Sequence, residues 1–337
     1  MYNTMDIHRL RIFVMINFAK FNSLVEIALS FDTPKKCKEA IAQSRWADGD
    51  VVCPYCGGHH CYTRSEIYLR QVPQEFSVLV GTIFENTKIS LVKWFMAMYL
   101  ISSHKKGVSP HQLSRDLNIT QNTAWFILHK VRTLFAQDEA VALEGEVELD
   151  EMYLGGRETN KHESKKTANT QGRSIKTKTP IFGMVARKGF AHDFVVKDAK
   201  SETLKPYIQQ FCADNAHLFT DELISYSGLG KMGYAHDVIG HGKKQFSNGN
   251  GVTTNSIEGF WGHFKRMVFS TYHFVSKAYL QRYVDEAIYR YNMREASETY
   301  RFYDMFAKSI GNVTYRDVKC IFLILVDSII EIITEKG

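Results

Sequence analysis

The stretch that decides the fold is Val147–Gly156, VELDEMYLGG, with Glu146 directly before it. Read as a β-strand, it places Glu146, Glu148 and Asp150 on one face and the intervening apolar residues on the other, because side chains alternate along a strand. Like charges on one side of a strand repel each other. Two interpretations follow: either this face is in water, or a positive group lies against it.

The sequence after this stretch alternates between strand and helix patterns. We predict two strands around Lys188-Gly189, an amphipathic helix capped by Ser201, a fourth strand from His217 that ends at Asp221, an irregular stretch over 230–251, and two helices over 256–270 and 277–295. This order predicts an α/β fold, a mixed sheet with helices on its faces and functional residues at strand ends.

Three carboxylates fall at the ends of these elements. Asp150 ends the first strand, Asp221 ends the fourth, and Glu258 starts a helix. If the first and fourth strands are neighbours, the two aspartates lie side by side. Carboxylate oxygens suit Mg²⁺ or Mn²⁺, and two such ions, roughly 3.5–4 Å apart, can activate a water and stabilise the leaving oxygen of a phosphodiester. Lys265 follows Glu258 by two helical turns, so it shares that face and can contact a phosphate.

Each acid also has a structural interpretation. Asp150 can be a solvated acid on an edge strand, Asp221 can cap the helix that follows it, and Glu258 has capping-box spacing from Asn255. The segment 157–178 adds seven Lys or Arg against two Glu. Such a run is usually a solvated loop, but beside acids it can hold a polyanion, with Lys165 and Lys166 as candidates. Taken together, these features favour a metal site.

The N-terminal part contains half of a zinc-ribbon pattern. Cys53 and Cys56 flank a tight turn in CPYCGG, and a ribbon needs a second ligand pair some 15–20 residues later. Apolar residues stand at those positions. Three other ligand-type residues follow the turn closely: His59, His60 and Cys61. Two interpretations stay open, a bound Zn²⁺ or a ribbon that has lost it.

Residues 79–135 have helical spacing, and their second half fits a helix-turn-helix. One helix is predicted over HQLSRDL, a turn at Asn118-Ile119, and a second helix capped by Thr120 that carries Gln121 and Asn122 in its first turn. Early polar residues of a recognition helix reach base edges. The alternative is an ordinary helical hairpin.

The bulk composition limits the class of protein. The chain of 337 residues is 45% hydrophobic and 13% aromatic, with a net charge of +6, which indicates a globular, modestly basic protein that is compatible with nucleic acid. Six dispersed cysteines do not form a disulfide framework and favour a reducing compartment. We predict no signal peptide and no membrane span, and hence a cytoplasmic location.

Taken together, the motifs resemble bacterial insertion-sequence transposases of the DDE type, in the group with an N-terminal zinc ribbon. The resemblance runs in family order from about residue 31 to about residue 300, and it rests on these stretches: RWADGDVVCPYCGG, EFSVLVGTIFENTKISLVKWF, VELDEMYLGG, PIFGMVARKG, LFTDELISYSGL, TTNSIEGFWGHFKR and YLQRYVDEAIYRYNMR. The ribbon departs from the family pattern.

The resemblance implies an RNase H-like core that cuts DNA at element ends and joins the new 3′ hydroxyl to a target. It assigns the catalytic and metal-binding acids to Asp150, Asp221 and Glu258, with Mg²⁺ or Mn²⁺, and DNA contacts to Lys265 and Arg266. Glu148 would support Asp150 without binding the metal itself, and Glu146 would be solvated. Members vary at the third acid, which makes Asn255 a further candidate.

The implied organisation has five parts: an N-terminal helical segment (1–45), a degenerate zinc-ribbon module (46–78), a helix-turn-helix-like region (79–137), an RNase H-like catalytic domain (138–300) and a tail (301–337). The implied partners are the element's terminal inverted repeats, the target DNA and further copies of the chain, in the nucleoid. The alternatives are a decayed copy that binds DNA without chemistry and a nuclease that cuts DNA but joins no ends.

Overall fold

The computed structural model describes residues 21, 23–46, 49–59, 61–64, 67–70, 75–136, 141–155, 162–167, 174–239 and 254–310. The chain divides into two compact units. The first contains the residues up to Phe135 and those from Glu295 onward, and the second runs from Ala136 to Arg294. Of the segment assigned to a C-terminal tail, residues 311–337 lie outside the described part.

The first unit is mainly helical. Its helices are α1 (Leu24–Ser30), α2 (Pro34–Arg45), α3 (Leu91–Ser103), α4 (Pro110–Leu117), α5 (Gln121–Arg132) and α9 (Glu298–Lys308). Thr33 caps α2 as predicted, because its side chain accepts the N–H of Lys36. Helix α9 packs its aromatic side chains on α3, with the rings of Phe306 and Phe95 5.1 Å apart.

Helices α4 and α5 and the turn between them lie where the sequence predicted them. Ser109 and Thr120 cap them with their hydroxyls, and Asn118 takes the left-handed conformation between them, with φ 48°. Gln121 and Asn122 are exposed in the first turn of α5. The arrangement leaves the polar start of the second helix open to a partner.

A small antiparallel sheet follows the cysteine turn. Its strands are β1 (Cys61–Arg64), β2 (Ile67–Arg70) and β3 (Phe76–Ser77). In the turn before it, the N–H of Gly57 donates to the carbonyl of Cys53. The residue Cys53 is buried, whereas Cys56 is exposed. His60 lies outside the described residues. Zinc binding stays a prediction.

The second unit is built on five strands: β4 (Glu146–Gly155), β5 (Lys178–Ala186), β6 (Ala191–Val195), β7 (His217–Asp221) and β8 (Ala235–Ile239). They lie in the order β6-β5-β4-β7-β8. Pairing is antiparallel from β4 to β6 and parallel from β4 to β8. The predicted mixed α/β sheet is confirmed, and its order is consistent with an RNase H-like fold.

Three sequence expectations need correction here. Strand β8 lies inside the stretch 230–251 that was interpreted as irregular. Asp150 lies in the middle of β4 and does not end it. The interpretation of Asp150 as an acid on an edge strand is wrong, because β4 is the central strand.

Helices cover both faces of this sheet. They are α6 (Ser201–Phe211), α7 (Asn255–Arg266) and α8 (Leu280–Asn292). Val147 and Leu149 of β4 belong to the apolar cluster that includes residues of α6. Met152, on the other face, belongs to the cluster that includes residues of α7 and α8. The three acids of the opening stretch therefore share the α7 face.

Side-chain amides of α8 bond to the outer edge of β6. Asn292 accepts the N–H of Ala191 at 2.8 Å and donates to its carbonyl at 3.1 Å. Gln281 accepts the N–H of Val195 at 2.7 Å. Within the described part of the chain, we find no helix with both the length and the apolar character needed to cross a membrane.

Candidate active site

The parallel pairing of β4 and β7 brings the two aspartates together. The paired positions run from Glu146 opposite His217 to Glu148 opposite Phe219. Two residues further along each strand lie Asp150 and Asp221, at the same level and on the same face. Because the ladder to β7 ends before this level while the ladder to β5 continues to Gly155, the carboxylates sit where the two strands part.

Asp150 is oriented by a tryptophan from α7. The indole Nε1 of Trp261 donates to Oδ2 of Asp150 at 3.0 Å, and Trp261 is only 4% exposed. Gly183, opposite Asp150 on β5, makes room for the ring: a Cβ there would meet the indole at 2.6 Å. Sequence reasoning missed this contact, because an apolar helix face at this spacing indicates core packing.

Asp221 starts the turn that follows β7. Its Oδ1 accepts the N–H of Leu223 at 2.9 Å, ahead of a single 3₁₀ turn at Ile224–Tyr226. The interpretation of Asp221 as a helix cap is wrong, because the N-cap residue of this short turn is Leu223 and no side chain caps it. The bond from Leu223 occupies one carboxylate oxygen of Asp221 with a neutral donor.

The charges of both aspartates affect the pKa of a buried tyrosine, Tyr226. Tyr226 is 1% exposed and donates to the carboxylate of Glu151. Burial raises the pKa of Tyr226 well above its ordinary value, and the negative charges of Glu151, Asp150 and Asp221 raise it further. Both aspartates are thus within electrostatic reach of one hydroxyl, which agrees with their adjacent positions in the sheet.

Glu148 is fully buried and joins β4 to the start of α7. Its Oε2 accepts the backbone N–H groups of Ser256 at 2.8 Å and Ile257 at 3.0 Å. These belong to the N–H groups that a helix leaves unbonded at its N-terminus, where the helix dipole favours a negative charge. Its Oε1 accepts from Nε of Arg187 at 2.7 Å. Glu148 therefore fixes the N-terminus of α7 against the central strand.

Arg187 is the positive group on the acidic face. It binds Glu148 and also Glu146, whose Oε2 lies 2.7 Å from Nη1. The guanidinium packs over the ring of Phe219 at 4.3 Å from the centroid. Both interpretations of the opening stretch hold in part: Glu146 is half-exposed and paired, while Glu148 is enclosed. The sequence pointed to a positive group but did not identify Arg187, which is 39 positions away from Glu148.

Glu258 is exposed on the first turn of α7. The helix begins at Asn255, with Thr254 as its N-cap residue, so the capping box between Asn255 and Glu258 is wrong. Instead, Oγ1 of Thr254 donates to Oε1 of Glu258 at 3.4 Å. Asn255 is exposed next to it. Both side chains are open to a ligand.

One exposed stripe of α7 continues from Glu258. Lys265 and Arg266 are exposed further along the helix, and Lys265, seven positions after Glu258, shares its side of the helix. Of the predicted basic loop, Lys166 is exposed and pairs with Glu163. The side chain of Lys165 lies outside the described residues.

A fourth carboxyl group lies on the same sheet face. Asp193 is opposite Gly183 on β6, is 0% exposed, and would lie 2.8 Å from a Cβ at Gly183. Burial raises the pKa of Asp193 well above its ordinary value, and the charges of Asp285 and Asp150 add to this. Asp193 therefore favours its protonated form.

The described residues contain no group of three or more His, Cys, Asp or Glu side chains that could hold a metal ion. The structure thus brings Asp150 and Asp221 together and places Glu258 on a helix anchored to the same strand, without assembling the three acids into a ligand group. Cys53 and Cys56 form no such group either, within the same limits.

Comparisons with known proteins agree with the resemblance drawn from the sequence. Residues 142–292 match the model of the ISXO2-like transposase domain. The chain is also 27% identical over 247 residues to an uncharacterized protein in transposable element ISH50 of Halobacterium salinarum, over 68% of this chain and 81% of the relative. The resemblance to insertion-sequence transposases is confirmed.

Proposed function

We propose that this protein is a DNA transposase that cuts phosphodiester bonds at the ends of its element and transfers the strand to a target. The observation that carries the proposal is the adjacency of Asp150 and Asp221 on parallel strands, inside the segment that matches a transposase domain. The exposed cations of α7 lie on the helix that the same sheet face anchors, which suits a DNA backbone.

The donor set fits a hard divalent cation. Two carboxylates stand at one level of the sheet, where two strands part, and carboxylate oxygens are the ligands that these ions prefer. Asp150 and Asp221 would hold Mg²⁺ or Mn²⁺, with Glu258 as the third acid. Bound there, the metal would activate the attacking oxygen and stabilise the leaving one.

The residues of the chain itself have distinct tasks in this proposal. Trp261 holds Asp150 in one orientation, and Glu148 keeps α7, and with it Glu258, at the sheet. Lys265 and Arg266, in the last turn of α7, bind phosphates of the DNA strand that runs along the helix. In the other unit, Gln121 and Asn122 of α5 would read base edges of the element end.

The test is a strand-transfer assay with labelled DNA from the flanks of the gene as the donor. We expect cleavage and joined products with Mg²⁺ or Mn²⁺ and neither in EDTA, and we expect binding to weaken steeply as salt rises. Cleaved ends that are never joined would instead indicate a nuclease on the same core. Products that form equally well in EDTA would exclude the metal-dependent mechanism.

A second candidate is a decayed transposase that binds DNA without chemistry. The observation in its favour is that the described residues hold no assembled group of three metal-binding acids. Such a protein would shift element-end DNA in a gel, show no metal-dependent cleavage, and bind equally well when Asp221 is replaced by Asn.

A further inference from the structure

The segment that follows α7 exposes two large aromatic side chains. Phe269 is 56% and Phe274 76% exposed. The first lies in the π-helical continuation of α7, Met267–Tyr272, and the second lies just beyond it. Exposed apolar side chains that lie together mark interaction surfaces, and these two rings are five positions apart in sequence.

A buried ion pair holds the base of this segment in place. The hydroxyl of Tyr272 donates to both carboxylate oxygens of Glu286, at 2.9 and 3.0 Å. Glu286 is 1% exposed and is paired with Arg290 at 2.6 Å. The rings of Tyr272 and Tyr283 also pack edge to face, 4.8 Å apart. Tyr272, which lies between the two exposed phenylalanines in sequence, is therefore held against α8.

The backbone between the two rings is unusual. π-Helical turns are rare and frequent at functional sites. His273 has φ 59° and ψ −44°, outside the regions that non-glycine residues favour, and the N–H of Phe274 bonds to the carbonyl of Tyr272 at 2.6 Å. A residue keeps such strained backbone angles only where the surrounding structure holds it in place, and strained residues are concentrated at active sites and ligand-binding sites.

The charged residues of this stretch of sequence are of one sign. The sequence from Gly259 to Val284 contains no Asp or Glu. Its exposed basic residues are Lys265, Arg266, Lys277, His263 and His273. A surface that combines exposed aromatic rings with positive charge suits a nucleic acid strand, whose bases stack on the rings while its phosphates meet the cations.

Phe269 also lies in line with the candidate active site. Glu258, Gly262, Lys265 and Phe269 follow each other at helical spacing along the exposed side of α7 and its continuation. The eleven positions from Glu258 to Phe269 correspond to roughly 16 Å of helix. At about 3.4 Å per step along a strand, this is about five nucleotides.

We propose that Phe269 and Phe274 stack on unpaired bases of the DNA end whose phosphates run along α7. The duplex would be opened a few nucleotides from Asp150 and Asp221, because a base offers its whole face to a ring only when it is unpaired. The inference rests on the proposed function for the identity of the substrate, and it adds that the substrate is locally unpaired.

The experiment uses the full-length protein and two DNA probes of one sequence, a fully paired duplex and a fork with five unpaired terminal nucleotides that include 2-aminopurine. Binding is measured in EDTA, so that it does not depend on cleavage. We expect tighter binding to the fork and a change in 2-aminopurine fluorescence. The double variant Phe269→Ala, Phe274→Ala should lose about tenfold or more in fork affinity, as expected for the loss of base stacking, with duplex binding little changed.

Two controls separate stacking from general damage. The double variant with Tyr at both positions should retain fork binding, because its rings still stack. Phe190→Ala removes another exposed aromatic ring of the same unit, 48% exposed, and should leave both affinities unchanged.

The proposal is overturned if the wild-type protein binds fork and duplex equally, or if the double Ala variant binds the fork like wild type. It is also overturned if that variant changes only the sedimentation behaviour, since the rings would then join copies of the chain. Absence of metal-dependent cleavage by the wild type would instead count against the proposed function and leave the fork result standing.

Discussion

Two acids on β4, separated by one residue, have opposite environments. Glu148 is enclosed, and its charge is met inside the protein by Arg187 and by the N-terminus of α7. Asp150 is partly exposed, and the donor described for it is a neutral indole. The comparison teaches that carboxylates on the same face of one strand differ in exposure with position: the one at a level where β4 is paired to β7 is enclosed, and the one just past the end of that pairing is partly exposed.

The largest effect on cleavage should come from replacing the two proposed metal-binding aspartates. Asp150→Asn and Asp221→Asn preserve shape but remove a hard anionic ligand, so we expect cleavage to fall at least ~1,000-fold, in line with the several kcal/mol that a metal supplies. The control is Asp237→Asn on the edge strand β8, whose carboxylate is half-exposed and pairs with His217. Wild-type cleavage rates in either aspartate variant would remove these residues from the mechanism.

The structural role of the enclosed carboxylate is tested by replacing Glu148. Glu148→Gln removes a fully buried charge that meets Arg187 and the N-terminus of α7, and it leaves Arg187 only the exposed partner Glu146. We expect the free energy of unfolding to fall by about 3–5 kcal/mol, as for other broken buried pairs. Cleavage should weaken as well, because α7 loses its anchor. Urea titration measures the first effect.

Glu146→Gln is the matched control, since it removes the exposed partner of the same arginine. It should cost at most ~1 kcal/mol, as for other surface pairs. Equal losses in the two variants would show that the enclosed position of Glu148 has no special value.

A substitution at Gly183 tests whether the contact between Trp261 and Asp150 matters for cleavage. Gly183→Ala would place a Cβ 2.6 Å from the ring of Trp261, so the indole must move from Asp150. We expect a loss of about 1–3 kcal/mol, as for other overpacked sites, with cleavage reduced further than stability explains. Gly230→Ala, where a Cβ meets nothing within 4 Å, should change neither. Metal affinity measured by titration of Mn²⁺ would show whether the orientation of Asp150 matters.

The smallest effect concerns pH. The pKa of Asp193 is raised in the folded protein, first by burial, so the folded state holds a proton that the unfolded state loses above a pKa of about 3.9. Stability from this group therefore falls as pH rises from there towards the folded pKa. Asp193→Asn keeps the neutral form at all pH values, so its melting temperature should exceed that of wild type by more at pH 8 than at pH 4.5. A constant difference would show that Asp193 does not titrate in this way.

Local patterns predicted much of this fold. The alternation in VELDEMYLGG located the central strand, and the caps at Thr33 and Thr120 located two helix starts. The adjacency of Asp150 and Asp221 was predicted on the condition that the first and fourth strands are neighbours, which the strand order confirms. These features depend on neighbours in sequence or on general rules of sheet assembly.

The rest depended on contacts over long distances or on small shifts. Strand β8 escaped prediction because four of its five residues are not buried, so apolar alternation is weak. Arg187 and Trp261 meet the acids from 39 and 111 positions away. The capping box failed because α7 starts one residue earlier than predicted, with Thr254 in the capping position.

The amides of Asn292 and Gln281 have a consequence for assembly. A strand at the border of a sheet normally offers unpaired N–H and C=O groups that can recruit another chain. On β6, the groups of Ala191 and Val195 are already bonded to α8, so a second copy cannot lengthen the sheet there by backbone pairing without displacing that helix. If copies of the chain hold two DNA ends together, as the proposed function implies, they would meet through another surface of the fold, and this edge strand is protected from edge-to-edge aggregation.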